Sequence, residues 1–308
     1  CRGRLVVDPV HGEARWVVEV RAGDGWVPLM TVNPTACAVL TLLEAVRAGL
    51  IDPGERVRLG GSEYTVRRLI EMAVRGLVRL FYEGGGNPCC EVEKRAVDRG
   101  VLDVGYYYPV KYAFLALLAI REARDLGYLP GDVRSELPVA LRRFVLWLRG
   151  LEVKPGVFAY NEYVRHADLA STCCGLAALC EVVRLGLKDR DVTEALRRVL
   201  GAVMRRYEEC KRGGRRYPFY LYLSPESAVY LMMSRFFPDR AEAWQAYGAA
   251  HAVAALAAVK RLPEDVRVQV LERRPSGPSK PTKPSRGRRS LPVYPVAALT
   301  LALLRRRS

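Results

Sequence analysis

Few residues of this 308-residue chain could do acid–base chemistry, because it holds only three histidines. Glu162, His166 and Asp168 stand close together just ahead of a small-apolar helical run, and His251 lies within the Ala-rich stretch 246–259. Imidazole and carboxylate brought into one cleft would act as general acid and base, which makes Glu162, His166, Asp168 and His251 the candidate catalytic set. The competing reading is structural and is preferred: Asp168 caps the helix that follows, His166 is solvated, and His251 is a core histidine with one hydrogen-bond partner.

The eight cysteines include two adjacent pairs, Cys89-Cys90 and Cys173-Cys174, with Cys180 following. Zinc ligands are usually spaced by two to four residues, so adjacent pairs predict no metal site. A disulfide from Cys89 or Cys90 to Cys173 or Cys174 and simple buried thiols are the two leading readings, with a metal site third. No Cys-His-Asn arrangement or nucleophile elbow surrounds them. Gly84-Gly85-Gly86 lacks the Lys-Ser/Thr of a phosphate-cradling loop, and no cofactor is expected.

Phosphate chemistry has a stronger signal. The formal net charge is +16, yet ten basic residues and no acidic one follow Glu272, so much of the excess lies near the C-terminal end. Residues 273–290, RRPSGPSKPTKPSRGRRS, form a Pro/Ser/Gly-rich linker bearing Arg273, Arg274, Lys280, Lys283, Arg286, Arg288 and Arg289. A second basic run, Lys211, Arg212, Arg215 and Arg216, leads into Tyr217, Phe219, Tyr220 and Tyr222. Cations that follow a backbone beside aromatics that stack bases suit single-stranded nucleic acid. The bland alternatives are a basic loop at a helix C-terminus and a solubilising linker.

The elements that must carry these residues are mostly helical. Residues 4–32 alternate as strands around His11-Gly12 and Ala22–Gly25, and a second hairpin is expected at 56–66. Helices are predicted at 35–48 (after Asn33-Pro34), 67–83, 109–125, 136–149, 168–185, 191–210, 225–236, 240–261 and 292–306, with a short polar helix from Cys89 to Arg99. Tyr108–Leu118 and Tyr294–Leu304 share seven of eleven residues, an internal repeat. Charged amphipathic helices alternate with wholly apolar ones, which predicts two layers. The expected fold is mainly α, a two-layer helical repeat with a small N-terminal antiparallel β element. Its expected parts are a β-containing region with one helix over 1–66 and a helical repeat over 67–306, interrupted by the basic linker 273–290.

Residues 146–180, LWLRGLEVKPGVFAYNEYVRHADLASTCCGLAALC, resemble the helix-pair repeat of the α/α toroids of protein prenyltransferases and squalene/terpene cyclases. Trp147, Gly156, Phe158, Asp168, Ser171 and Thr172 match that repeat in kind, and the resemblance spans about 105–306. It implies a toroid-like fold. The Asp-x-Cys zinc motif, the Asp-x-Asp-Asp acid motif and the Gln-Trp signatures of those enzymes are missing, so their chemistries do not carry over.

No apolar run reaches the ~18 residues a bilayer span needs, so no membrane partner is expected. The opening Cys1-Arg-Gly-Arg carries no signal-peptide pattern; a trimmed start and a cytoplasmic location are expected. Eight lysines against 41 arginines, three Asn and two Gln suggest a thermophile. The leading functional expectation is a non-catalytic nucleic-acid-binding protein, RNA or single-stranded DNA, as a subunit of a ribonucleoprotein or defence assembly. The alternatives are a toroid enzyme acting on an isoprenoid or saccharide, and a helical scaffold for protein partners.

Overall fold

The computed structural model describes residues 1–59, 61–212 and 241–271, with backbone alone for 210, 211 and 241–250. The expected helices at 225–236 and 292–306, and the linker 273–290, lie outside the described residues.

The chain opens with three antiparallel strands, β1 (Arg2–Asp8), β2 (Glu13–Ala22) and β3 (Gly25–Met30), in the order β1-β2-β3. Asp8 accepts hydrogen bonds from the backbone N–H groups of Val10 and His11, which turns the chain between β1 and β2. Glu13, Val17 and Glu19 on one face of β2 are buried, Ala14 on the other is buried as well, and the strand packs on two helices, α1 (Val32–Arg47) and α2 (Val66–Glu83). A second hairpin, β4 (Arg56–Leu59) and β5 (Ser62–Thr65), leads into α2, whose N-cap Thr65 accepts from the Arg68 N–H at 3.1 Å.

The helix expected at 35–48 begins three residues earlier, at Val32. Its own N-cap, Thr31, makes no side-chain cap. Glu93, at the start of the short α3 (Glu93–Asp98), supplies one from a distance: Oε1 accepts from the backbone N–H groups of both Thr31 and Val32 at 2.8 Å. An anionic or polar oxygen on the unsatisfied N–H groups of a helix start is what that end of a helix favours.

The remaining α-helices among the described residues are α4 (Pro109–Asp125), α5 (Leu137–Gly150), α6 (Leu169–Arg184), α7 (Arg190–Arg212), α8 (Ala241–Lys260) and α9 (Glu264–Leu271). The sequence pattern predicts neither α9 nor the small hairpin β6 (Glu152–Lys154) and β7 (Val157–Phe158). The hairpin is too short to show alternation, and α9 follows α8 after only three residues.

The packing follows amphipathicity. The evenly apolar helices α1, α4, α6 and α8 lie side by side in a row, each against the next. The one-sided helices α2, α5 and α7 form a second layer, α2 against α5 and α7 against α6, with α9 on α7. In the middle of the first row α6 is buried at every residue from Ala170 to Val183. A helix enclosed on all sides must be apolar all round, which explains LASTCCGLAALCEVV. Gly175 is required there, because the Phe158 ring occupies the space a Cβ would need. The core runs without a break from Ala14 through the helices to Val270, across the expected boundary at residue 66.

Among the described residues a buried charge pair crosses this core. Arg121 on α4 donates to Glu181 on α6 at 2.6 Å, and both are almost fully buried. Glu122, Asp125 and Arg184 complete the cluster, and Arg47 of α1 joins it through Glu122.

Candidate nucleic-acid interface

Among the described residues, cations from three elements gather where the β6–β7 hairpin meets α7. The geometry begins with a glycine. Gly156 has φ of +75°, and a Cβ there would collide with the backbone carbonyl of Arg198. Only glycine lets the turn press onto α7 this closely. The turn is fastened by Glu152, whose Oε1 accepts from the Gly156 N–H and lies 3.5 Å from Arg198 Nε.

Three cations converge as a result. Arg149 from the end of α5, Lys154 from the hairpin and Arg198 from α7 line one open concavity of about 390 Å³, with Glu152, Val153 and Pro155. Arg165 donates to the Gly150 carbonyl at 2.7 Å, bringing a fourth cation to the C-terminal end of α5. From Arg198 the positive charge continues along α7. Arg198, Arg205 and Arg212 recur every seven residues and so share one stripe of the helix. Arg205 leans back over Gly201 and Arg212 Nε donates to the Glu208 carbonyl. Glu209 sits between the last two rungs but is turned onto Arg206 at 3.0 Å.

The contrast with other faces gives this patch its meaning. On the N-terminal sheet Glu19 pairs with both Arg2 and Arg4, and Glu13 pairs with both Arg15 and Arg79. Arg75 is paired with Asp132. Arg142, Arg149, Lys154 and Arg205 form no ion pair among the described residues. A smaller groove of about 200 Å³, between β3 and α3, presents Arg95 and Arg99, with Glu91 held by Arg15.

Of the predicted phosphate-binding residues, Arg212 is exposed at the end of α7, and Lys211 belongs to the same helix. Arg215, Arg216, Tyr217, Arg273, Arg274, Lys280, Lys283, Arg286, Arg288 and Arg289 lie outside the described residues. Arg149, Lys154, Arg198 and Arg205 are not among the residues that the sequence singles out. The seven-residue spacing on α7 is a signal for two of them; the other two become neighbours only through the hairpin.

The candidate acid–base residues occupy separate settings. Asp168 is buried and caps α6, accepting from the Ser171 N–H at 2.7 Å, the Ser171 hydroxyl at 2.8 Å and the Tyr108 hydroxyl at 3.3 Å. Glu162 Oε1 is held by Asn87 Nδ2 at 2.7 Å and Trp147 Nε1 at 3.0 Å. His166 is exposed and its carbonyl accepts from the Tyr160 N–H. His251, on α8, places Nδ1 3.6 Å from Cys174 Sγ. Burial, helped by the Lys111 charge, pushes the imidazole down to about 4, and burial pushes the Cys174 thiol up to about 12. At neutral pH this is a neutral thiol beside a neutral imidazole, the opposite of an activated nucleophile.

Cys89, Cys90, Cys173 and Cys174 stand as free thiols. Among the described residues no group of three or more His, Cys, Asp and Glu side chains is placed to hold a metal ion, and no helix is long and apolar enough to cross a membrane. Comparison with protein-family models, with curated proteins and with solved structures finds no match, so function has to be read from the chemistry of the surface itself.

Proposed function

We propose that this chain is a non-catalytic nucleic-acid-binding protein that holds the phosphate backbone on its outer helical layer. The observation that carries this reading is the convergence of Arg149, Lys154 and Arg198 on one concavity, continued by Arg205 and Arg212 along α7. In sequence the stripe is followed by the basic run 211–216, and the net charge of +16 acts in the same sense. Arg149, Lys154 and Arg205 have no carboxylate partner among the described residues, and Arg198 shares Glu152 at 3.5 Å. The patch therefore keeps net positive charge for phosphates, and binding gains from counterion release. The free buried thiols fit a reducing, cytoplasmic compartment, and the Arg121 cluster fits the ion-pair networks of thermophiles.

The test is a salt titration of binding to labelled RNA and DNA by the full chain, a variant carrying Arg149→Ala, Lys154→Ala and Arg198→Ala, and a deletion of residues 273–290. For every cation that no longer meets a phosphate, the slope of log affinity against log salt should fall by about one. The expected result is a shallower slope and weaker binding for both variants. Absence of binding at low salt, or binding indifferent to both changes, would refute the proposal.

A further inference from the structure

We infer that the α7 face is built for double-stranded nucleic acid, gripped through its phosphates without reading its bases. This rests on the nucleic-acid reading above and narrows it to one class of ligand. The first argument is rigidity. Arg198, Arg205 and Arg212 are mounted on a continuous helix, so successive rungs stand about 10.5 Å apart along its axis and the row spans about 21 Å. Arg198 is shared with Glu152 at 3.5 Å, and a straight row of arginines rooted at fixed intervals gains most from phosphates already held at fixed separations. A duplex offers such a lattice, stiff over about 150 base pairs. A single strand would have to be ordered against the row, and that ordering subtracts from affinity. A major groove is about 12 Å wide, so α7 laid across it sets neighbouring rungs near opposite walls.

The second argument is what surrounds the row. Single-strand binders hold bases by stacking them on aromatic side chains. The large exposed aromatics among the described residues are Trp26 on β3, Tyr106 before α4 and Tyr163 before α6. Trp26 lies under Arg2, and Tyr163 is engaged by Asp98 and Lys94. None stands on the described part of α7, where Tyr207 is buried; Tyr217, Phe219, Tyr220 and Tyr222 follow in sequence and lie outside the described residues. The concavity at the head of the row is likewise lined by cations, one carboxylate, Val153 and Pro155, with no stacking surface. Such a surface recognises charge and shape, and it predicts little dependence on sequence.

Arg205 is the residue to change, because it has no carboxylate partner among the described residues and its removal orphans no buried charge. Full-length protein and Arg205→Ala would be titrated with a 20-base-pair RNA duplex, a DNA duplex and their separated strands over a salt series. Thermal melting would verify that the variant is folded. The duplexes should bind about tenfold more tightly than the strands. Arg205→Ala should weaken duplex binding about three- to tenfold, lower its salt slope by about one and leave strand binding nearly unchanged. Strands bound as tightly as duplexes, or duplex binding untouched by Arg205→Ala, would overturn this inference while leaving the broader reading intact. No binding to any of the four ligands would overturn both.

Discussion

Gly156 lies so close to the backbone of Arg198 that no other residue fits between the β6–β7 turn and α7. The contact sets Lys154 beside Arg198 and so assembles the basic concavity. Gly156→Ala should therefore displace the hairpin. Gly127 is the matching control, with φ of +78° against +75° and nothing within 4 Å of a new Cβ. Both substitutions should cost about 1–3 kcal/mol from backbone strain. Only Gly156→Ala should also weaken nucleic-acid binding, measured alongside denaturant unfolding. Equal binding by the two variants would show that the turn does not position the cations.

The Arg121–Glu181 pair should show an asymmetry when its members are removed singly. Arg121→Met leaves the nearly inaccessible Glu181 with Arg184 alone, at 3.2 Å. Glu181→Leu leaves Arg121 with both Glu122 and Asp125. Breaking a buried pair costs about 3–5 kcal/mol, and the arginine substitution should fall at the upper end of that range. The double variant should recover part of the loss, because no unpaired charge then remains between α4 and α6. Urea unfolding of the three variants would check both points.

Glu93 and His251 should pull stability in opposite directions over the same pH range. Burial raises the Glu93 carboxyl from 4.5 to about 7, against the opposing effects of the Thr31, Val32 and Glu93 backbone N–H groups and of Arg15. Its contribution is complete below 4.5 and is lost as pH rises through 7. Burial lowers the His251 imidazole from 6.5 to about 4, so its contribution is complete above 6.5 and is lost as pH falls through 4. Each shift corresponds to about 3 kcal/mol, so the two nearly cancel in the native chain.

Single substitutions should expose each effect. Glu93→Gln keeps an acceptor for the Thr31 and Val32 N–H groups and removes the titration. Its stability should fall by about 3 kcal/mol or more from pH 7 to pH 4, mainly through His251, with the lowered carboxyls of Glu19 and Glu122 adding to the loss near pH 4. His251→Asn should show the reverse trend, gaining stability as pH falls over that range. Chemical denaturation at five or six pH values would reveal both slopes, and parallel profiles for the three proteins would contradict the assignment.

Much of the helical layer is legible in the amino-acid sequence. The bounds of α4 follow from Pro109 at its start, and Asp168 at the head of α6 is the N-cap that its residue type suggests. Local chemistry is enough in both places. The cap on α1 is not readable, because Glu93 arrives from 61 residues away by sequence. The basic concavity is hidden for the same reason: Arg149, Lys154 and Arg198 belong to three elements that only the Gly156 turn brings together. Periodicity reports which face of an element is buried, and it carries no information about which elements become neighbours.

The side-by-side row α1, α4, α6, α8 also bears on how the molecule would yield to mechanical load. Helices at the ends of such a row have one in-plane neighbour, while α4 and α6 have two. Tension applied at α8 would strip helices from the margin inward, as a zipper opens. The Arg121–Glu181 clasp between α4 and α6 would then be the second seam to be loaded, after α8 has left α6 and before α4 leaves α1.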